Sequence, residues 1–145
     1  MAGKSTSDAG LKRTLDVRTS RRTELKDVTA EIAKFVRDSG CASGVCYLYV
    51  PHTTAGVLIN EGYDPDVARD METAFDRLIP HKGDYRHSEG NSDSHIKTAL
   101  VGTSEAVWIE DGRLALGQWQ KIFFAEFDGP RSRELRVRIV RDPEV

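Results

Sequence analysis

Residues 44–60, with the sequence GVCYLYVPHTTAGVLIN, decide the fold of this chain of 145 residues. Two apolar runs, Gly44–Val50 and Thr54–Asn60, are rich in β-branched and aromatic residues and are separated by a short polar break. Runs of this length and composition predict two β-strands. The break contains His52, which we therefore expect at the edge of a sheet.

One strand and one helix are predicted upstream of these runs. Leu15 and Val17 alternate with charged neighbours, which predicts a half-buried strand over Leu11–Thr19. Asp27 or Thr29 can cap a helix that ends at a left-handed glycine. The apolar stripe of this helix, which we expect in the core, consists of Ile32, Phe35 and Val36, and the terminating glycine is Gly40.

Two helices and a long polar loop are predicted downstream. Asp64 and Pro65 are typical of a helix start, and the apolar pattern continues to Pro80. The apolar residues of this helix, expected in the core, are Val67, Met71, Ala74, Phe75 and Leu78. The loop Pro80–Asp93 is of a length that is usually functional or disordered. Ser94 predicts the cap of a short helix whose free amides point toward this loop.

The last third of the chain has the pattern of β-structure. Strands are predicted over Ala106–Glu110, Leu114–Phe127 and Leu135–Val140, with a tight hairpin turn at Asp111 and Gly112. We expect these strands to form a meander. The sequence contains neither an internal repeat nor a βαβ alternation. This pattern favours an antiparallel α+β or sandwich-like domain.

Composition limits the classes of function. The 21 basic and 23 acidic residues give a net charge of -2 and are interspersed, so nucleic acid is not the expected partner. No apolar run approaches the roughly 20 residues of a membrane helix, so no membrane partner is expected.

Residues 1–10 lack the apolar segment of a secretory signal, which predicts a disordered arm and a cytoplasmic protein. Cys41 and Cys46 are expected to be reduced and structural.

Three of the four histidines lie in polar segments where loops or element ends are predicted. They are His52, His87 and His95. Imidazole titrates near neutral pH and is a common metal ligand, so these residues predict a metal centre or an acid/base site. The interval between His87 and His95 specifies no metal geometry, and each could be an ordinary loop or helix residue. His81, at the end of a predicted helix, is the weakest candidate.

Further polar residues are candidates for the same site. Glu61 follows an apolar strand and could emerge at its end, whereas Asn91 lies in the loop between two of the histidines. Gln120 could offer an amide to a ligand while its neighbour Trp119 packs or stacks on a ring. Arg131 follows a predicted turn and could hold a phosphate or a carboxylate.

Three segments of the chain together resemble the YjbQ-like family, whose members are often described as secondary thiamine-phosphate synthases. The segments are PHTTAGVLINEGYDPDVARDME, YRHSEGNSDSHIKTALVGTSE and GRLALGQWQKIFFAEFDGPRSRELRV. The resemblance runs from about Leu11 to Val140 and departs at Gln118, where the family usually has threonine. It implies a single YjbQ-like domain over residues 11–145, an antiparallel, jelly-roll-like β-sandwich flanked by two main helices, assembled as a homotrimer.

The resemblance also implies an activity and a site. The activity is a thiamine-phosphate synthase-like transfer that joins a pyrimidine pyrophosphate to a thiazole phosphate. The resemblance places His52, Glu61, His87, His95, Asn91 and Gln120 at a metal or active site. We expect Glu61 and His87 as catalytic groups, Asn91 and Gln120 as substrate ligands, and His52, His87 and His95 as metal ligands. Arg131 is added as a substrate ligand because its guanidinium group can bind anionic oxygens. Histidine ligands favour zinc, whereas a pyrophosphate substrate favours magnesium. The alternatives are a metal-dependent hydrolase of a small phosphorylated substrate and a non-catalytic trimer that binds a metal or metabolite.

Overall fold

Alternating apolar and polar residues build the larger of two antiparallel sheets. The computed structural model describes residues 10–144, so the predicted N-terminal arm lies almost entirely outside the described residues. The strands of this sheet are β1 (Lys12–Arg18), β3 (Gly44–Tyr49), β5 (Ser104–Glu110), β6 (Arg113–Leu114) and β8 (Ser132–Arg141). They are ordered β1-β8-β3-β5-β6. The strands predicted around residues 44–50 and 135–140 are confirmed.

A smaller antiparallel sheet packs its apolar side chains into the same core. Its strands are β2 (Glu24–Asp27), β4 (Ala55–Glu61) and β7 (Gln120–Glu126), in the order β2-β7-β4. Strand β2 was not predicted, because Leu25 is its only apolar residue and charged neighbours surround it. Its position depends on pairing with β7 rather than on its own pattern.

The predicted meander is wrong. Strands β5 and β6 do form a hairpin, with positive φ angles of 51° at Asp111 and 76° at Gly112. The chain then leaves this sheet and forms β7 in the other one, before β8 returns between β1 and β3. Local alternation gives the direction of side chains within a strand but contains no information on which sheet the strand joins.

Within residues 10–144, three helices accompany the sheets: α1 (Thr29–Ser39), α2 (Pro65–Leu78) and α3 (Ser92–Val101). The side chain of Asp64 accepts a hydrogen bond from the N–H of Asp66, as its predicted cap role requires. Gly40 ends α1 with a φ of 68°. The third helix starts at Ser92 rather than after Ser94, whose buried hydroxyl donates to the carbonyl of Phe127 instead.

The main core lies where both sheets and α1 meet. It includes Leu48 and Val137 of the larger sheet, Val57 and Phe124 of the smaller one, and Ile32 of α1. Helix α2 packs less deeply: its predicted core residues Met71 and Phe75 are partly buried against a second cluster on the smaller sheet. Both cysteines are free and buried, and burial raises the pKa of the Cys46 thiol to about 12.

The α+β class is confirmed, and residues 10–144 contain the two main helices and the short third helix that the sequence predicted. None of the helices in residues 10–144 is long and apolar enough to cross a membrane.

Candidate functional site

A polar cleft of about 520 Å³ lies where three segments of the chain meet. The first is the loop at residues 51–54 between β3 and β4, and the second is residues 89–95, which lead into α3. The third is residues 131–133 at the start of β8. The pairing of β8 with β3 and the packing of α3 on β4 bring these distant segments together.

His52 is held in one protonation state at the wall of this cleft. Its Nε2 atom accepts a hydrogen bond from the backbone N–H of Glu134, at 2.9 Å. Because Nε2 supplies a lone pair, this contact assigns the proton of the neutral ring to Nδ1. Burial, and then the nearby charge of Arg133, lower the pKa of His52 below 6.5. His52 is therefore a neutral hydrogen-bond donor at neutral pH.

A buried ion pair forms the floor behind His52. The Nε and Nη2 atoms of Arg133 donate to the two carboxylate oxygens of Glu126, at 2.8 and 2.5 Å. The side chains are only 3% and 0% exposed. Arg133 Nη2 also donates to the hydroxyl of Thr54, and the hydroxyl of Thr19 donates to Glu126. These contacts fix the guanidinium group in one orientation.

Sequence reasoning missed Arg133, although a signal was present. In β8, Arg133 has the same parity as Leu135, Val137 and Ile139, which all point into the core. A charged residue in the inward phase of a strand must find a buried partner, because an unpaired buried charge is costly. The alternation therefore indicated a buried arginine, but not its partner.

A second set of polar contacts positions the predicted ligands Asn91 and Arg131. Asn91 Nδ2 donates to a carboxylate oxygen of Asp128 at 2.9 Å, and Arg131 donates to the same oxygen at 3.1 Å. The Oδ1 atom of Asn91 is enclosed and has no hydrogen-bond partner in the part of the chain that the structure describes. Both residues line the cleft. Their role as substrate ligands stays a prediction.

Arg22 connects this set to helix α3. Its guanidinium donates to Asp128 at 3.2 Å and to Asp93 at 2.9 Å. Asp93 is fully buried and also accepts from Lys97 at 3.0 Å. Although burial acts to raise it, the hydrogen bonds from Lys97 and Arg22 hold the pKa of Asp93 below its usual range. The ionised Asp93 anchors the helix that carries His95 at the cleft.

The structure brings the three histidines that were predicted to share a metal together only in pairs. The rings of His87 and His95 pack edge to face with centroids 5.6 Å apart, and His87 Nε2 lies 3.6 Å from a carboxylate oxygen of Glu89. His95 also lines the cleft of His52. Over residues 10–144, however, no three or more His, Cys, Asp or Glu side chains are grouped so that they could hold a metal ion. His52 itself does not fit as a ligand, since Nε2 accepts a hydrogen bond and Nδ1 is protonated.

Glu61 and Gln120 lie away from the cleft. They are paired across β4 and β7, at the opposite end of β4 from the cleft loop. A strand of seven residues spans roughly 20 Å. Glu61 accepts hydrogen bonds from the N–H groups of Tyr63 and Asp64, and Gln120 accepts one from Gly117. Both side chains thus stabilise local turns in this chain.

The remaining candidates also have local contacts. Trp119 is 56% exposed and packs edge to face on Tyr63, with ring centroids 5.8 Å apart. Gln118 is exposed beside it. His81 is exposed, and its Nε2 lies 3.0 Å from the carbonyl oxygen of Gly90, which ties together the ends of the polar loop.

Comparisons with known proteins agree on one family. A family model described as "UPF0047 protein YjbQ-like" matches residues 13–142. UPF0047 protein MJ1081 of Methanocaldococcus jannaschii is 49% identical over 126 residues, covering 87% of this chain and 91% of the relative. UPF0047 protein YugU of Bacillus subtilis is 47% identical over 130 residues, covering 88% and 98%.

Solved structures give the same result. A crystal structure of a YjbQ/UPF0047 family protein from Clostridium acetobutylicum has a TM-score of 0.86 and 46% identity, covering 88% of this chain and 99% of that one. A YbjQ-like protein of unknown function from Sulfolobus solfataricus has a TM-score of 0.87 and 29% identity, covering 90% and 96%.

These findings correct the expected activity. The family and its relatives are described by UPF0047 names, and the Sulfolobus protein as of unknown function, so they contradict the thiamine-phosphate synthase expectation. The metal-dependent hydrolase and the metal-binding form of the non-catalytic trimer need a metal site, and residues 10–144 contain no group of three or more His, Cys, Asp or Glu side chains that could form one. The match over residues 13–142 and the identity to relatives along most of their length show that this chain belongs to the UPF0047 family of YjbQ-like proteins.

Proposed function

We propose that the cleft binds a small polar metabolite and transfers a proton on it. The observation that carries this proposal is the hydrogen bond from the Glu134 N–H to His52 Nε2, at 2.9 Å. It leaves a neutral imidazole with its Nδ1–H available to a ligand. Such a group can stabilise charge that develops on a ligand oxygen without being a charged acid itself.

His95 is the proposed proton acceptor. It lines the same cleft as His52, and its ring packs on His87, which lies beside Glu89. When His95 takes a proton from a carbon next to a carbonyl group, negative charge moves to the carbonyl oxygen. His52 Nδ1–H then donates to that oxygen. In this scheme His87 positions His95 and stabilises its protonated form, with the carboxylate of Glu89 nearby.

Nuclear magnetic resonance tests the carrying observation directly. The ¹⁵N shifts of the His52 ring at pH 7 should show a neutral imidazole protonated at Nδ1, and His81 serves as an exposed control. A cationic ring, or one protonated at Nε2, would contradict the assigned role.

Solvent exchange tests the reaction itself. In D₂O, the protein should introduce deuterium into a carbonyl-containing member of a panel of carboxylated and phosphorylated metabolites. His52→Gln and His95→Gln should each reduce this exchange at least tenfold, whereas His81→Gln should leave it unchanged. Exchange that persists in both cleft variants would remove these histidines from the proposal.

Asn91 and Arg131 are the proposed substrate ligands within the cleft.

Glu61 and Gln120 lie at the opposite end of β4 from the cleft. They can therefore contribute only if a second copy of the chain brings them to the cleft. A mixture of His52→Gln and Glu61→Gln subunits that recovers exchange would support such a composite site. A mixture without recovery would leave Glu61 with its local turn contacts.

A homotrimer is the assembly that we propose. The outer face of the larger sheet supports it, because Tyr47, Tyr49 and Trp108 on this face are 48%, 49% and 68% exposed. Large exposed apolar and aromatic patches commonly mark interfaces.

A cytoplasmic location and a jelly-roll-like sandwich also stay proposals. The sandwich is supported by the core that the two sheets share.

Zinc or magnesium binding stays a prediction. The residues expected to hold the metal do not form a group of three, and the proposed proton transfer does not depend on a metal. Elemental analysis of protein purified without a histidine tag would detect a bound ion, and His87→Ala with His95→Ala would show whether the histidine pair holds it.

A further inference from the structure

Arg133 offers one unused donor to the cleft. Its Nε and Nη2 atoms are bonded to Glu126 and Thr54. Its Nη1 atom makes no hydrogen bond with any residue in the described range 10–144, and it is not among the enclosed atoms that lack a partner. Since Arg133 lines the cleft, this nitrogen is available to a ligand. The buried ion pair holds it in a fixed direction.

The adjacent loop provides further unpaired donors. The backbone N–H groups of His52, Thr53 and Thr54 donate no hydrogen bond to any residue that the structure describes. By contrast, the carbonyl of Thr54 accepts from the N–H of Phe127 and from Arg133. Thr54 is buried, His52 is half-buried and Thr53 is exposed at the cleft, so these unpaired amides beside the arginine are free to donate to an acceptor that enters it. A group of such amides is typical of oxyanion sites.

From this arrangement we propose that Arg133 Nη1 and the amides of residues 52–54 form a subsite for an oxyanion, the carboxylate or phosphate group of the cleft's ligand. The inference rests on the proposed function, because it names the class of metabolite that the same cleft accepts. It assigns a binding residue, Arg133, that lies just before the strand predicted over Leu135–Val140. His52 Nδ1–H and the subsite then contact different parts of one ligand.

Directed hydrogen bonds, rather than net charge, are responsible for binding at this subsite. Glu126 neutralises Arg133, Asp128 pairs with Arg131, and Glu89 places a further carboxylate in the cleft. The surrounding charges are therefore nearly balanced. Because long-range attraction is small, the affinity should depend only weakly on salt, unlike binding to an exposed basic patch.

The test is a titration of the ¹⁵N-labelled wild-type protein with inorganic phosphate and, separately, with acetate. We expect the amide resonances of residues 52–54 and the Nε–H resonance of Arg133 to shift together and to saturate with one of the two anions. The anion that saturates identifies a phosphate or a carboxylate subsite. If neither anion shifts these resonances, or if shifts occur only at exposed arginines such as Arg69, the proposal is overturned.

A double variant provides the matched control. Arg133→Met alone would leave Glu126 buried without a partner, whereas Arg133→Met with Glu126→Leu replaces the whole pair by apolar side chains. The double variant should bind the saturating anion at least about tenfold more weakly, as expected for a lost charged hydrogen bond. Arg69→Gln, which removes an exposed positive charge, should bind it as the wild type does. Unchanged binding in a folded double variant would also overturn the proposal, and the wild-type titration decides alone if that variant does not fold.

The two proposals can fail separately. A His52 ring protonated at Nδ1 together with no anion-dependent shift would overturn only the subsite. Anion-dependent shifts together with a cationic His52 would overturn only the proton-transfer proposal.

Discussion

At the scale of residues, the chemistry of His52 depends on a partner 82 positions further along the chain. The backbone N–H of Glu134 fixes the tautomer of the ring, and burial beside Arg133 lowers its pKa. Neither contact can be inferred from the local sequence Pro51-His52-Thr53. The sequence located the candidate side chain, and the fold determined its protonation state.

The pKa of His52 predicts a pH dependence of stability. Because the pKa in the folded protein lies below the 6.5 of a free histidine, the unfolded state binds more protons in the interval between the two values. The contribution of His52 is therefore present above pH 6.5 and is lost as the pH falls through the folded pKa. Urea denaturation between pH 5 and 8 should give a higher free energy of unfolding for the wild type than for His52→Gln, and this difference should become smaller toward acid pH. A pH-independent difference would contradict the lowered pKa.

The Arg133–Glu126 pair predicts a large effect of a single substitution. Arg133→Met leaves a fully buried carboxylate without its partner and should reduce the free energy of unfolding by about 3–5 kcal/mol. Urea denaturation measures this loss. Arg69→Gln, on the exposed face of α2, should change the free energy of unfolding by less than about 0.5 kcal/mol. A loss below about 1 kcal/mol for Arg133→Met would show that the carboxylate is not buried as described.

At the scale of elements, two lysine–aspartate pairs allow a direct comparison of buried and exposed contacts. Lys97 and Asp93 are four residues apart in α3 and have side chains 1% and 0% exposed. Lys34 and Asp38 have the same spacing in α1, but are 65% and 60% exposed. Lys97 also contacts Asp76 of α2 at 2.9 Å, so it joins two helices.

This comparison predicts different outcomes for the same substitution. Lys97→Met should lower the free energy of unfolding by about 3 kcal/mol or more, because it leaves Asp93 buried with only Arg22 as its cationic partner. Lys34→Met should lower it by about 0.5 kcal/mol or less. Thermal unfolding of the two variants in the same buffer provides the measurement. Equal losses would indicate that α3 is not anchored through Asp93.

The contact of β4 with the end of α3 leaves no room for a side chain at Gly56. A Cβ atom there would lie 2.3 Å from the carbonyl oxygen of Gly102, which also accepts a hydrogen bond from Val57. Gly56→Ala should therefore destabilise the protein by about 1–3 kcal/mol, although alanine usually suits a strand better than glycine does. Ser104→Ala, at an exposed strand position, is the control in the same denaturation assay. A stabilised Gly56→Ala variant would contradict the close approach.

At the scale of the whole molecule, the outer face of the larger sheet is where we propose that subunits meet. Tyr49 lies on this face and also lines the cleft, so a subunit seated there would border the site. Light scattering should give three times the 16.2 kDa mass of one chain. Tyr47→Glu with Trp108→Glu should reduce that mass, while Leu78→Glu on α2 should not. A wild-type protein with the mass of one chain would contradict the homotrimer.

The sequence by itself determined most of the elements and the family. The helix start at Asp64, the left-handed Gly40 and the strands around residues 44–60 follow from spacing and capping, which are local properties. Three sequence blocks identified the family, and four of the predicted site residues line one cleft: His52, Asn91, His95 and Arg131.

Only the tertiary structure decided how these elements are combined. It assigned β7 to the smaller sheet, separated Glu61 and Gln120 from the cleft, and placed Arg133 beneath it. Local periodicity extends over a few residues and records which face of an element is apolar. Sheet membership, tautomer and ion-pair partners depend on contacts between residues tens of positions apart, whose geometry exists only once the whole core has formed.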